Sequence, residues 1–366
     1  MIHGEHWFEK YAAHMRYKTL FWILLSIFVV ALGAAAVFGY KIFFAAVTPD
    51  HETQFKIRRG WVLSQIADSL RGRGIIKSAE NFLSAAKISR RAGQVKAGKY
   101  IIPPRSSNLD LINLFVSGKA ARQRLTIPEG VTAEAIAGLL QRELEVDSSA
   151  VMNLVDDKDF IDDVDVDAAS LEGYLYPNTY QFYWGDTPRD VISLLVAEFH
   201  KRVPDSLAAR ADSLGLSLHQ TLTLASIIEG EARVDSERAV ISAVYWNRLR
   251  KGMRLQADPT IQYIIPGPPR RVLNRDLEID SPYNTYRYAG LPPGPVNNPG
   301  IKSILAALYP TSDRYLYFVA RGDGSHIFSY TLEQHNAAKR EFDRYRAQVR
   351  AAARRSASSA ATGKSF

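Results

Sequence analysis

The stretch FKIRRGWVLSQIADSL (Phe55 to Leu70) returns 70 residues later as LTIPEGVTAEAIAGLL (Leu125 to Leu140). Ile57 falls on Ile127, Gly60 on Gly130, Ile66 on Ile136, Ala67 on Ala137 and Leu70 on Leu140. Each copy reads as a short strand, a glycine turn and an amphipathic helix. Behind the first copy, AGKYII (Ala97 to Ile102) reads as a second strand. Together these predict a small α+β module with its helices on one side of a short sheet. The plain alternative is that strand, glycine and helix are a common fragment and the five matches are chance.

Ahead of the repeat lies TLFWILLSIFVVALGAAAVFGY (Thr19 to Tyr40), without a charged residue. As a helix these residues span roughly 33 Å, enough to cross a bilayer. Lys10, Arg16 and Lys18 precede the run, and Trp22 and Tyr40 sit near its ends. A cytoplasmic segment 1–18, a membrane span 19–40 and a body outside the cytoplasmic leaflet are therefore expected. A cleaved signal peptide fits less well, because the apolar run continues past Ala34-Ala35-Ala36.

The 366 residues are 46% hydrophobic and 23% charged, which suits packed domains. No cysteine is present, which excludes disulfides, thiolate metal sites and a cysteine nucleophile. The net charge is +8, but Arg346, Arg350, Arg354, Arg355 and Lys364 in the last 21 residues supply five of those charges, leaving +3 for the rest. Such a distribution gives no basic face for nucleic acid. GQVKAGKY (Gly93 to Tyr100) lacks the hydroxyl residue a phosphate loop needs after its lysine. Asp163, Asp165 and Asp167 begin like a calcium loop, but Ala168 stands where the turn glycine belongs and Tyr174 where the bidentate glutamate belongs. The seven aspartates from Asp156 to Asp167 read instead as a solvated loop. No histidine pair has ligand spacing and there is no G-x-S-x-G elbow, so neither a metal nor a cofactor is expected.

Carboxylates, amides and aromatic rings concentrate after residue 170. LEGYLYPNTYQFYW (Leu171 to Trp184) and SPYNTYRY (Ser281 to Tyr288) offer rings for sugar faces and amides for hydroxyls. The same rings would serve equally as core. Between them LSLHQTLTLASIIEGEA (Leu216 to Ala232) reads as a helix apolar over more than half its circumference. On its wheel Glu229 falls between Leu222 and Ala225, and Glu231 between Leu224 and Ile227. Apolar flanks favour a protonated carboxyl, which suits a general acid, but periodicity does not choose between the two.

The succession LEGYLYPNTY, ASIIEGEA (Ala225 to Ala232), NRLRKGMRLQADPT (Asn247 to Thr260), SPYNTYRYAGLPPGPVNNPG (Ser281 to Gly300) and YLYFVARGDGSHIFSYTLEQHN (Tyr315 to Asn336) resembles the endolytic murein transglycosylases of the YceG-like family. The similarity runs from about Phe55 to Phe342. The resemblance implies an α+β chain: a transmembrane helix, a LysM-like module at 50–122, a catalytic domain at 123–345, then a disordered basic tail at 346–366. The family's catalytic glutamate falls on Glu229; the next residue, commonly lysine in the family, is Gly230 here. The implied reaction is nonhydrolytic cleavage of the β-1,4 bond between N-acetylmuramic acid and N-acetylglucosamine. Glu229 would protonate the leaving oxygen and then take the proton of the sugar's own 6-hydroxyl, giving a 1,6-anhydro end. Glu172, Asn247, Gln256, Asp258, Tyr283 and Asn284 are the candidates for holding substrate. Expected partners are glycan strands, the inner membrane and peptidoglycan synthesis proteins, with the catalytic domain in the periplasm and nascent strands as the target. A noncatalytic wall-binding scaffold and a hydrolytic muramidase are the rival readings.

Overall fold

A computed structural model describes residues 5–347 except 59, 119–121, 268, 269 and 345, with the backbone alone for residues 5–19. The tail expected to be disordered lies, from residue 348 on, outside the described residues. The chain divides into two compact units. The first runs to Gln123 and includes Tyr183–Gly185; the second holds Arg124–Phe182 and everything from Asp186.

The first unit begins with α1 (Glu5–Phe43), whose segment Leu20–Phe43 is long and apolar enough to cross a membrane. Its side chains from Leu20 onward are mostly exposed, but Ile42 is buried. The helix therefore outlasts the 19–40 run, and its last turn packs against the unit. There the Asn108 side-chain amide donates to the Ile42 carbonyl at 2.8 Å.

After α1 come β1 (Thr53–Ile57), α2 (Leu63–Gly72), α3 (Ala79–Ile88), β2 (Gly98–Ile102) and α4 (Asn108–Ser117). β1 and β2 pair antiparallel with Phe55 opposite Tyr100. Alternation puts Phe55 and Ile57 of one strand, and Tyr100 and Ile102 of the other, into the core. Phe115 of α4 meets the Tyr100 ring edge-on at 4.9 Å. Ser78 caps α3 and Ser107 caps α4 in a reciprocal box with Asp110.

At the unit boundary β3 (Arg122–Thr126) pairs with β4 (Thr179–Tyr183). The second unit is mainly helical: α5 (Ala133–Leu144), α6 (Ser148–Val155), α7 (Lys158–Asp163), α8 (Pro188–Arg202), α9 (Asp205–Ser213), α10 (Leu218–Glu231), α11 (Arg238–Arg250), α12 (Asp258–Ile264) and α13 (Ile301–Leu308). A hairpin of β5 (Tyr317–Ala320) and β6 (His326–Ser329) follows, with Phe318 opposite Phe328.

Both copies of the repeat form the predicted strand, glycine turn and helix. Ile57, Ile66, Ala67 and Leu70 in one, and Ile127, Ile136, Ala137 and Leu140 in the other, are all at most 2% exposed. Gly60 and Gly130 both adopt the left-handed conformation, with φ of +77° and +74°. Two expectations change. The aspartate run is not all loop: Asp157 accepts from Phe160 N at 2.8 Å and starts α7, which buries Phe160 and Ile161. The rings of Tyr174, Tyr176, Tyr180 and Phe182 are buried in the core, which leaves Tyr183, exposed, and Trp184, half-buried, as the accessible rings of that run.

Candidate active site

α10 begins at Ser217, which caps it in a reciprocal box with Gln220. From Thr221 to Ile228 every residue is buried, whatever its polarity. Such a helix has little freedom to shift, so the carboxylates on its last turn stand on a rigid base.

The segment Val296–Gly300 lies along α10 and is tied to it at three points. Val296 N donates to Ser226 Oγ at 2.9 Å, the Asn297 amide donates to Ser226 O at 2.8 Å, and Gly300 N donates to Glu229 Oε2 at 3.1 Å. Ser226 and Glu229 are three residues apart and share a face, which is why one strap reaches both. The other carboxylate oxygen, Oε1, lies 3.1 Å from Arg238 Nη1 of α11, with Glu229 only 7% and Arg238 10% exposed as side chains. Glu229 is thus gripped by a cation and a backbone N–H. The apolar flanks expected from the helix wheel are only part of its setting.

Arg238 is itself fixed by Asp235, at 3.0 Å, and by the Ser303 hydroxyl. Asp235 also pairs with Lys302, and these two ion pairs hold its carboxyl below the usual range. Asp235, Arg238, Lys302 and Tyr309 line an open hollow of about 320 Å³. Nothing in the sequence marks Arg238 as Glu229's partner, because the two sit on different helices.

Glu231, the rival on the same helix, accepts from the Tyr245 hydroxyl at 3.1 Å. Burial first, and then the Asp258 carboxylate, push its pKa up to about 7. Asp258 in turn accepts from the Tyr286 hydroxyl at 2.6 Å. Pro259, the next residue, fills the space beside Gly230: a Cβ there would lie 2.6 Å from the proline ring. The glycine at this position is what lets α12 approach the last turn of α10.

The remaining candidates divide by what their polar atoms already do. Glu172 is buried, and its two oxygens accept from Ala133 N, each at 3.1 Å, while the Asn298 amide donates to Oε1 at 2.8 Å. Burial pushes its pKa up to about 8 against the pull of these donors. Asn284 is fully buried and spends its amide on the carbonyls of Leu277 and Ile279. Asn247 gives its amide to the carbonyls of Asp313 and Tyr315, and sits about 13 Å along α11 from Arg238 at 1.5 Å per residue. Gln256 is exposed, with a left-handed backbone at φ +50°. Tyr283 is half-buried against the Tyr263 ring at 4.9 Å. Glu231 and Asp258 are brought together, while Glu229 faces Arg238 and Gly300 instead; Glu172 reaches the strap through Asn298, and Asn247 serves the approach to β5.

One residue the sequence reading missed is Glu129. It stands in the turn of the second repeat copy, and its carboxyl occupies the space where a Gly300 side chain would begin. Gly130 beside it faces Glu229, whose Cγ would be 3.3 Å from a Cβ on that glycine. The turn is held by Gly130 N donating to Asn298 O at 2.9 Å and Asn298 N donating to Val131 O at 3.0 Å.

Residues 55–341 match the model of the YceG-like family. The chain belongs to that family. Its relatives include an endolytic murein transglycosylase of Bacillus subtilis (strain 168), 36% identical over 330 residues, covering 85% of this chain and 91% of the relative. An endolytic murein transglycosylase of Streptococcus pneumoniae serotype 2 is 28% identical over 353 residues, covering 86% of this chain but 64% of that longer protein. A crystal structure of a YceG-like protein from Listeria monocytogenes aligns with a TM-score of 0.56 at 34% identity, covering 78% of this chain and 98% of that one.

Proposed function

We propose that this YceG-like chain is a membrane-anchored lytic transglycosylase that cuts peptidoglycan strands internally, with Glu229 as the acid–base residue. The observation that carries the reading is the grip on Glu229: one carboxylate at the end of a buried helix, oriented by Arg238 and by Gly300 N–H. The naming of the relatives as endolytic murein transglycosylases supports the substrate class.

In this reading Glu229 protonates the oxygen that leaves with N-acetylglucosamine, and an oxocarbenium-like centre develops at C1 of the muramoyl residue. The 6-hydroxyl of that residue attacks C1, so the nucleophile is carried by the substrate and no water is activated. A 1,6-anhydro end results. Gln256, Asp258 and Tyr283 supply polar groups and a ring for the glycan, while Glu172, Asn284 and Asn247 hold loops from behind. The βααβ order of the first unit supports a LysM-like glycan-binding role. The apolar helix and its basic N-terminal flank support a cytoplasmic N-terminus, a periplasmic catalytic unit and nascent strands as substrate, beside the synthesis proteins.

The test is digestion of purified sacculi followed by mass spectrometry. Anhydro-ended fragments from the wild type and none from Glu229→Gln are expected. Products heavier by about 18 Da would mean hydrolysis instead. Co-sedimentation without cleavage would mean a scaffold.

A further inference from the structure

Two carboxylates meet at Gly300. Glu229 accepts from its N–H at 3.1 Å, and the carboxyl of Glu129 lies where its side chain would start. Their backbones are fixed independently, Glu229 by the buried helix α10 and Glu129 by a turn bonded to Asn298. Their surroundings differ. Both oxygens of Glu229 are engaged, one by Arg238 and one by Gly300, and the side chain is 7% exposed. Glu129 is exposed, and among the described residues its carboxylate accepts no hydrogen bond. A reacting sugar at this site would therefore find one carboxylate oriented and one with open lone pairs.

We propose that Glu129 and Glu229 form a single acid–base unit, in which Glu229 gives the proton to the leaving glycosidic oxygen and Glu129 receives the proton of the attacking 6-hydroxyl. The inference rests on Glu229 being the acid–base residue and divides that residue's second task between the two carboxyls. The bond from C1 to the leaving oxygen breaks with its electron pair on that oxygen, which takes the Glu229 proton. O6 forms the new bond to C1 and its proton passes to Glu129. Transfer from Glu129 to Glu229 restores the starting state, and no water, oxidant or reductant enters. The Glu229 charge makes ionisation of Glu129 costlier.

The charged and titratable groups around the pair suit one negative charge. Arg238 of α11 and Lys302 of α13 are cationic, Asp235 is shared by both cations, and Tyr176 lies near Glu129. Partial burial first, and then the Glu229 charge, push the Glu129 carboxyl above its usual range, which makes it a stronger base than a free carboxylate. Gly300 is required by this arrangement, since any side chain there would displace Glu129.

The experiment is the pH–rate profile of anhydro-fragment release from sacculi by the full chain in detergent micelles, for wild type, Glu129→Gln, Glu129→Asp and Glu229→Gln. The wild type should fall off on both sides of an optimum, because the unit needs one proton and one open carboxylate. Glu129→Gln should lower kcat by ~10²-fold with KM within about twofold, and lose the acid-side fall. Glu129→Asp should keep both sides and recover part of kcat. If Glu129→Gln keeps its rate, or loses rate while both sides of the profile persist, Glu129 is structural and the inference is overturned, with Glu229 untouched. If Glu229→Gln retains activity, the reading beneath the inference fails instead.

Discussion

The two copies of the repeat share a fold and differ in what their turns face. In the first copy Gly60 looks onto open space; in the second Gly130 looks onto Glu229. The strand before each turn and the helix after it bury equivalent residues, so the hydrophobic pattern explains the shared scaffold and is silent about the difference. The difference lies in two side chains of the turn: Pro128-Glu129 occupies the register of Arg58-Arg59 in sequence. One supersecondary unit thus serves as plain scaffold in one place and as a wall of the proposed site in another.

The largest effect expected is on chemistry. Glu229→Gln should lower glycan cleavage by ~10²–10⁴-fold with the fold intact, as read by fragment release alongside circular dichroism. Wild-type activity in that variant would break the contrast, since the second turn would then face nothing catalytic.

Core truncations should separate the copies next. Ile66→Ala and Ile136→Ala each remove a side chain at most 2% exposed and should each cost about 2–5 kcal/mol. Only Ile136→Ala should remove cleavage of soluble glycan oligomers along with stability. Equal loss of activity from both would show that the first copy also belongs to the catalytic machinery.

The turns themselves offer a finer comparison. Gly60→Ala and Gly130→Ala place a Cβ on a left-handed backbone and should each cost about 1 kcal/mol by denaturant unfolding. Gly130→Ala also sets that Cβ 3.3 Å from Glu229 Cγ, so it alone should lower kcat, by roughly tenfold, with KM little changed.

Glu172, which braces the start of α5 behind the second turn, should act on stability and leave the contrast in chemistry between the two turns unchanged. The folded chain keeps its proton to about pH 8, whereas the unfolded chain releases it near 4.5. More protons are bound in the folded state across that window, so this group's contribution to stability falls as pH rises through it. The slope is at most about 1.4 kcal/mol per pH unit. Urea midpoints at pH 5 and pH 8 should converge in Glu172→Gln relative to the wild type.

The sequence made legible whatever is local and periodic. The repeat, the apolar span and α10 all follow from apolar spacing, and the structure changes only their ends. Motif order pointed to Glu229, while its partner Arg238 was not legible, because that pairing depends on how α10 and α11 cross. Glu129 carried one local signal, an acid in the turn where the first copy has arginine, but its meaning appears only when Gly300, 171 positions later, is folded against it. The aromatic run at 171–184 was undecided for the opposite reason: rings that suit sugars also suit a core, and packing buries four of them while leaving Tyr183 exposed.

Asn298 has a consequence for the order of assembly. Its side-chain amide nitrogen donates to Val131 O across 167 residues and to Glu172 across 126, and its oxygen accepts from Gly173 N across 125. Contacts at such separations close late, because the intervening chain must first be made and gathered. The turn carrying Glu129 and the helix carrying Glu229 are both bonded to the strap of Asn298 and Gly300, so this junction is complete only once that strap has arrived. A chain truncated before residue 296 should therefore lack the strap on which Glu129 and Glu229 meet, and should release no glycan fragments.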